Sequence, residues 1–526
     1  MSNKTKLLNI LLPFFYLLNF SACATGSDIQ KQEIFFYEER VVIPKYNPND
    51  RSHVLITPNN GKWNRYVLND PNKKHFYVKP GKYSSKYINL TRSGTKSSRR
   101  TMSLYNGNDL HPAALPDNQV ANVWFNLDGA DYWTIDRMAN LDRNVNPSMR
   151  FINGATHNII NRWHLRNFKY GAIIGPNCNY NTIQNSYING ATASALRTID
   201  AIGLDIYTDV KGSVIGTKLI NNDIRNATDG IQTTNQQRRL SKTDANFEGT
   251  IIDNNRIWRD SDSYTDRNGN PDPKGGYLYG ENAINLKVGS DNPQNPMIIT
   301  NNIMWGYSGI DLMSMSAPTP FVSQTSVKNV KMSDNIIAES LTGATIMWSY
   351  NWEFERNIFY DISMEDPENK KRTILYVSIS KQLILKNNTF VNTSTKRQDS
   401  GWSLYIHQQA QSDTFNNNVF VNAPKAGGTT SGHKFNNNWF YNTKESLPGK
   451  DEHRSSATDR QMGDYTFAYE RFTGKLKTKK LEGVVTTKNS PHFNSGAGSS
   501  REKRTAAASV LVRHHALPEI IIFSIF

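Results

Sequence analysis

One phrase recurs along the middle of the chain and leaves few folds open to it. One or two Asn, or a polar pair, precede an apolar residue and a short polar break. The phrase reads Asn221-Asn222-Asp223-Ile224, Asn254-Asn255-Arg256-Ile257, Asn301-Asn302-Ile303 and Asp334-Asn335-Ile336. It continues as Arg356-Asn357-Ile358, Asn387-Asn388-Thr389-Phe390, Asn416-Asn417-Asn418-Val419 and Asn436-Asn437-Asn438-Trp439, with weaker copies at Asn158-Ile159-Ile160 and Asn181-Thr182-Ile183. Copies lie roughly 20 to 47 residues apart, the period of solenoids. Asn enters the left-handed corner conformation more readily than other non-glycine residues. Stacked Asn amides also hydrogen-bond to one another along a column. The apolar residue that follows is expected to point inward and stack on its equivalent one coil away. The runs between are short and rich in β-branched residues, so they read as strands.

The expectation is an all-β chain: one single-stranded right-handed parallel β-helix over residues 120–445, with the Asn phrase at a single corner. Residues 24–119 are assigned to an N-terminal cap and first coils, 446–500 to a C-terminal cap, and 501–526 to a tail without assigned role. A solenoid accounts for a hydrophobic content of only 37% in 526 residues, because each coil gives few side chains to a thin core. An aromatic content of 11% argues against disorder.

A second column aligns Gly203-Leu204-Asp205-Ile206-Tyr207, Gly230-Ile231-Gln232-Thr233-Thr234, Ala283-Ile284-Asn285-Leu286-Lys287 and Gly309-Ile310-Asp311-Leu312-Met313. Period-two alternation places Leu204, Ile206, Ile231, Ile284, Leu286, Ile310 and Leu312 inside. It places Asp205, Gln232, Asn285 and Asp311 outside in one row, beside a row of Tyr207, Thr234, Lys287 and Met313. The Gly-, Pro- and Asp-rich stretch 260–280 reads as a loop between two coils, and long loops on solenoids fall on the binding face.

The formal charge is +15. Without the leader and the tail it remains roughly +11, which suits a polyanionic partner. No nucleic-acid signature accompanies it; anionic lipid, an acidic polysaccharide and a merely solvated basic surface stay open, and the partner expected is an acidic polysaccharide bound by a monomer. Lys4 and Lys6 precede the apolar run Leu7 to Phe20, the pattern of a secretory signal peptide ending at 23. Phe20-Ser21-Ala22-Cys23 reads as a lipoprotein box with Cys23 lipidated, and cleavage after Ala24 is the other reading. Either implies export, with contact to a membrane only through a lipid anchor. Cys178 is the only other thiol, so no disulfide framework is available.

Lys287, on an outer strand face after the longest loop, reads as a general base. β-Elimination from a uronate needs the carboxylate neutralised, a base for the C5 proton and an acid for the leaving C4 oxygen. Tyr207 and Arg256 are the companion catalytic candidates. Arg225, Arg259, Asn285, Tyr279 and Trp305 are candidates for binding the sugar chain, the arginines through carboxylates. Asp205 and Asp229 are oxygen ligands suited to Ca2+. The bland alternatives are a solvated surface lysine, surface arginines and ordinary turn aspartates.

The Asn-laddered coils resemble the pectate-lyase-like right-handed β-helix superfamily. Within it, Ile284-x-x-Lys287 with Asn302 and Gly309 looks like the chondroitinase B and alginate lyase family. That resemblance implies Lys287 as base, a Lys–Arg pair for the proton chemistry, and Ca2+ on the uronate carboxylate. The family's Arg falls at about Ser314, so that partner is missing. Asp205 and Asp229-Gly230-Ile231 also resemble the calcium-binding coils of one pectate lyase family, though Thr228 and Gln232 stand where two of its Asp would be. Its Lys aligns with Asn285. Three functions are open: a polysaccharide lyase, a glycoside hydrolase using two carboxylates such as Asp205 and Asp311, and a non-catalytic glycan-binding solenoid or adhesin.

Overall fold

The computed structural model describes residues 37–455 apart from 84–86, 142–143, 191–200, 209–211, 236–244, 260–281, 308–318, 324–326, 339, 341–342, 361, 363–372, 392–401, 422–424, 437 and 442–452. The leader with Cys23, the loop 260–280 with Tyr279, the segment holding Asp311 and Met313, and the tail lie outside the described residues.

The described residues form three sheets, of 14, 14 and 12 strands, in which every strand pair is parallel. Within each sheet the strands stack in chain order, and the chain visits the three sheets in turn. One coil runs Lys218–Ile220 in sheet 1, Asp223–Arg225 in sheet 2 and Asp229–Asn235 in sheet 3. The next coil stacks Ile251–Asp253, Arg256–Trp258 and Asn282–Leu286 onto them. This is a parallel β-helix, and crossover connections between parallel strands take the right-handed sense. Pairing begins at His53–Ile56 and extends to His453–Ser455. The α-helix among the described residues is Arg65–Leu68, outside the Asn-rich coils.

The core is one continuous cluster along the axis. Each sheet contributes an inward column: Leu219, Ile252, Ile299 and Met332 from sheet 1; Ile224, Ile257, Met304 and Ile337 from sheet 2; Leu204, Ile231 and Ile284 from sheet 3. Towards the C-terminus sheet 2 turns aromatic, and Phe359, Phe390, Phe420 and Phe440 stack with centroids 4.7, 4.7 and 4.9 Å apart.

The Asn phrase divides its labour. The first residue of the pair turns the corner in the left-handed region, as at Asn221 (φ 55°), Asn254 (54°), Asn301 (57°), Asn387 (58°) and Asn417 (53°). Asp334 and Arg356 take the same conformation in the copies that lack that Asn. The second residue forms the ladder. Asn222, Asn255, Asn302, Asn335, Asn357, Asn388, Asn418 and Asn438 are buried, and from Asn222 to Asn418 each Nδ2 donates to the next Oδ1 at 2.9–3.1 Å.

Two details differ from the sequence reading. The phrase occupies two corners, not one. Asn158 and Asn181 lie at the entrance to sheet 1, before Ile159–Asn161 and Thr182–Gln184, and bond to each other at 3.0 Å. The other copies lie between sheets 1 and 2. Ile224, Ile257 and Phe390 point inward as expected, but where the apolar residue follows the ladder Asn directly the inward residue is the one after it. Ile303 faces outward while Met304 is fully buried, because the ladder Asn occupies the inward side of the corner and alternation resumes from there.

Candidate functional site

The outer face of sheet 3 gathers most of the residues singled out by their chemistry. Asp205 pairs with Gln232, and Gln232 with Asn285, so the three share one row on adjacent strands. Leu204, Ile206, Ile231, Ile284 and Leu286 face the core as alternation requires. Tyr207 pairs with Thr234 one step further on. Lys287 continues that register, its N–H donating to the Thr233 carbonyl at 3.0 Å. Lys287 stands two residues from Asn285 on the same face, roughly 7 Å along the strand.

This outward row is buried. Asp205, Gln232 and Asn285 are almost inaccessible, and Lys287 is only 9% exposed. A solvated surface lysine is therefore not what the fold holds at 287. Burial of polar groups demands partners, and part of the row has them. Thr234 Oγ1 donates to Asp205 Oδ1 at 2.9 Å. Asp229, at the start of its strand, accepts from Asn282 Nδ2 and Asn285 Nδ2, both at 3.2 Å. Two oxygens do not. Gln232 Oε1 and Asn285 Oδ1 are buried without a hydrogen-bond partner among the described residues. Because Asn285 Nδ2 is committed to Asp229, its Oδ1 is left as an acceptor beside Gln232.

The remaining candidates lie on sheet 2. Arg225, Trp258 and Trp305 pair in one outward row, and Arg225 is buried. Trp305 stacks on Trp258 with centroids 5.0 Å apart and planes 1° apart, so one face of its ring is already covered. Arg256 forks onto both oxygens of buried Asp223. Burial raises the Asp223 carboxyl pKa while Arg256 opposes that rise. Arg256 thus neutralises a buried carboxylate on the neighbouring sheet and does not share the face of Lys287 and Tyr207. Arg259 is buried just after its strand, its N–H donating to the Trp305 carbonyl at 3.2 Å.

Sequence reasoning placed Gln232 in the row but gave it no role. The signal was present in the alternation, but only the burial of its side-chain oxygen without a partner among the described residues sets it apart. No set of three or more His, Cys, Asp or Glu side chains suited to a metal occurs among the described residues. The row instead supplies a carboxylate and two neutral amide oxygens, a hard-oxygen set of the kind Ca2+ takes.

No protein-family model matches the chain, and no curated protein sequence does. Solved structures do. The A-module of the mannuronan C-5 epimerase AlgE6 of Azotobacter vinelandii is 10% identical over 71% of this chain and 91% of its own, with a TM-score of 0.37. An alginate lyase from a Paenibacillus species is 11% identical over 65% of this chain and 94% of its own, with a TM-score of 0.35. The DFA-IIIase of Arthrobacter chlorophenolicus A6 is 8% identical over 68% of this chain and 87% of its own, with a TM-score of 0.41. At such identities the chemistry has to be read from this chain's own residues.

Proposed function

We propose that the protein is an exported polysaccharide lyase that cleaves a uronate-containing chain by β-elimination on the outer face of sheet 3. The observation that carries this reading is a buried outward row in which Lys287 stands beside Asp205, Gln232 and Asn285, with two amide oxygens awaiting a partner. A buried lysine among oriented polar groups, on a face that does no core packing, is arranged for a reaction and not for stability.

In this reading Lys287 Nζ takes the C5 proton. The C5–H electrons become the C4–C5 double bond, the C4–O bond breaks, and the Tyr207 hydroxyl protonates the leaving oxygen. Asp205, Gln232 and Asn285 would hold Ca2+, which when bound withdraws charge from the uronate carboxylate. Asp229 orients Asn285 by accepting from its Nδ2. Arg225 and Arg259 stand at the neighbouring sheet as carboxylate partners for flanking sugars. The basic balance of the chain supports an anionic substrate, and the charged, apolar leader supports export with a lipid anchor at Cys23.

The test is a screen of the purified full chain against acidic polysaccharides, following the ultraviolet absorbance of unsaturated uronate. Turnover that rests on Lys287 supports the reading. New reducing ends without that absorbance, dependent on Asp205, would replace it with hydrolysis.

A further inference from the structure

The row that carries Asp205, Gln232 and Asn285 does not stop there. It continues in strict register through Val322, Thr345, Tyr376, Tyr405 and Gly427, one residue per coil on sheet 3. At its far end the row becomes aromatic. Tyr376 and Tyr405 lie parallel, centroids 5.7 Å apart and planes 8° apart. Trp402 meets Tyr405 edge-on at 5.1 Å, and His407 flanks Tyr376 at 6.3 Å. All four rings are half-buried.

The core has no need of these rings. Leu375, Val377, Leu404 and Ile406 of the same strands supply it and are fully buried. Gly427 completes the patch: a Cβ there would come within 3.0 Å of Trp402 Cζ3, so only glycine leaves the indole where it lies. The hydroxyls of Tyr376 and Tyr405 make no hydrogen bond among the described residues.

We propose that Tyr376, Tyr405 and Trp402 form a sugar-binding platform for a remote part of the same polysaccharide chain. The proposal rests on the lyase reading of the Lys287 face and adds where the polymer runs. A pyranose ring presents C–H groups on one face and hydroxyls at its rim. An aromatic face with negative quadrupole accepts the first, and the free phenols meet the second. Tyr376 lies three strand spacings from Asn285 and Tyr405 four, roughly 14 and 19 Å. Each spacing is close to the length of one pyranose unit. A chain laid along the axis with one sugar over the Lys287 row therefore puts its third and fourth neighbours on the tyrosines. The site then favours long polymers and cuts within them.

Affinity electrophoresis of the full chain in gels cast with alginate, polygalacturonate or hyaluronan tests this. The wild type is expected to be retarded by at least one polymer. Tyr376→Ala with Tyr405→Ala should need about tenfold more of that polymer for the same retardation, about 1.4 kcal/mol. Tyr→Phe at both positions should stay close to wild type, because the ring face is kept. Leu at both positions keeps the bulk without the aromatic face, and it should behave like Ala even if the Ala variant melts early. Retardation of the Leu variant equal to wild type would overturn the platform and leave the lyase reading standing. A wild type retarded by none of the polymers would likewise overturn the platform, while the lyase reading is decided separately by the unsaturated-uronate absorbance.

Discussion

Replacing Asn302 by Ala should remove an interior rung of the Asn ladder. Asn302 Oδ1 accepts from the Asn255 N–H and from Asn255 Nδ2, both at 2.9 Å. Its Nδ2 donates to the carbonyls of Ile252 and Thr300 and to Asn335 Oδ1, all at 2.9 Å. The residue is fully buried, so water replaces none of these bonds in the folded state. The two N–H protons of Nδ2 are shared among its three acceptors, so the side chain makes the equivalent of about four bonds; at about 0.5–1.5 kcal/mol each, Asn302→Ala should cost about 2–6 kcal/mol. In a solenoid each coil touches only its neighbours, so the loss should be local. Hydrogen exchange should quicken most at the amides of Asn255 and Ile303, and much less at those near Asn438. Urea unfolding followed by tryptophan fluorescence gives the global cost. A change under 1 kcal/mol, with unaltered exchange at Asn255, would refute the ladder as a source of stability.

On the Lys287 face, Lys287→Ala should lose about 10²- to 10⁴-fold in turnover with an unchanged melting temperature. Lys287→Arg should be nearly as poor, since Arg keeps its proton; near-normal turnover in either variant would remove Lys287 from the mechanism. Millimolar Ca2+ added to chelated protein should raise the melting temperature by a few degrees, in line with about 2.7 kcal/mol at a hundredfold excess over Kd. Asn285→Ala and Asp205→Ala should abolish that rise, and its absence in the wild type would dismiss the cation. Burial pushes the Asp253 carboxyl up to about 7, above its unfolded value, so its contribution to stability is present at low pH and lost as pH rises towards 7. Asp253→Asn should therefore be more stable than wild type at pH 8 by up to about 4 kcal/mol, with the advantage fading towards pH 4; thermal melts across that range decide it. Labelling with a radioactive fatty acid should mark the wild type and not Cys23→Ser, and an unlabelled wild type ends the lipid-anchor reading.

The architecture was legible because it is repetitive. A polar pair before an apolar alternation, repeated at solenoid spacing, has one economical solution: corners that stack on corners. The alternation alone also assigned Leu204, Ile231 and Ile284 to the core and Asp205, Gln232 and Asn285 to one outer row, since a side-chain period of two leaves no other choice. What it could not do was tell corners apart. Asn158 and Asn181 serve the entrance to sheet 1 by the same amide chemistry that Asn222 onward serves at its exit, and the local sequence is alike at both.

Only the tertiary structure decided which outward residues share a surface. Arg256 and Lys287 look like partners along the chain, but sheet assignment puts one on sheet 2 against Asp223 and the other on sheet 3. The Asn285 row and the tyrosine patch are far apart in sequence, and the coil register joins them into one column. Burial is likewise invisible from period: an outward Lys or Gln reads as solvated until the packing around it is known. Alternation is a property of the backbone of one strand. Shared faces and loss of solvent belong to many strands at once, which is why the sequence yields the solenoid and the fold yields the site.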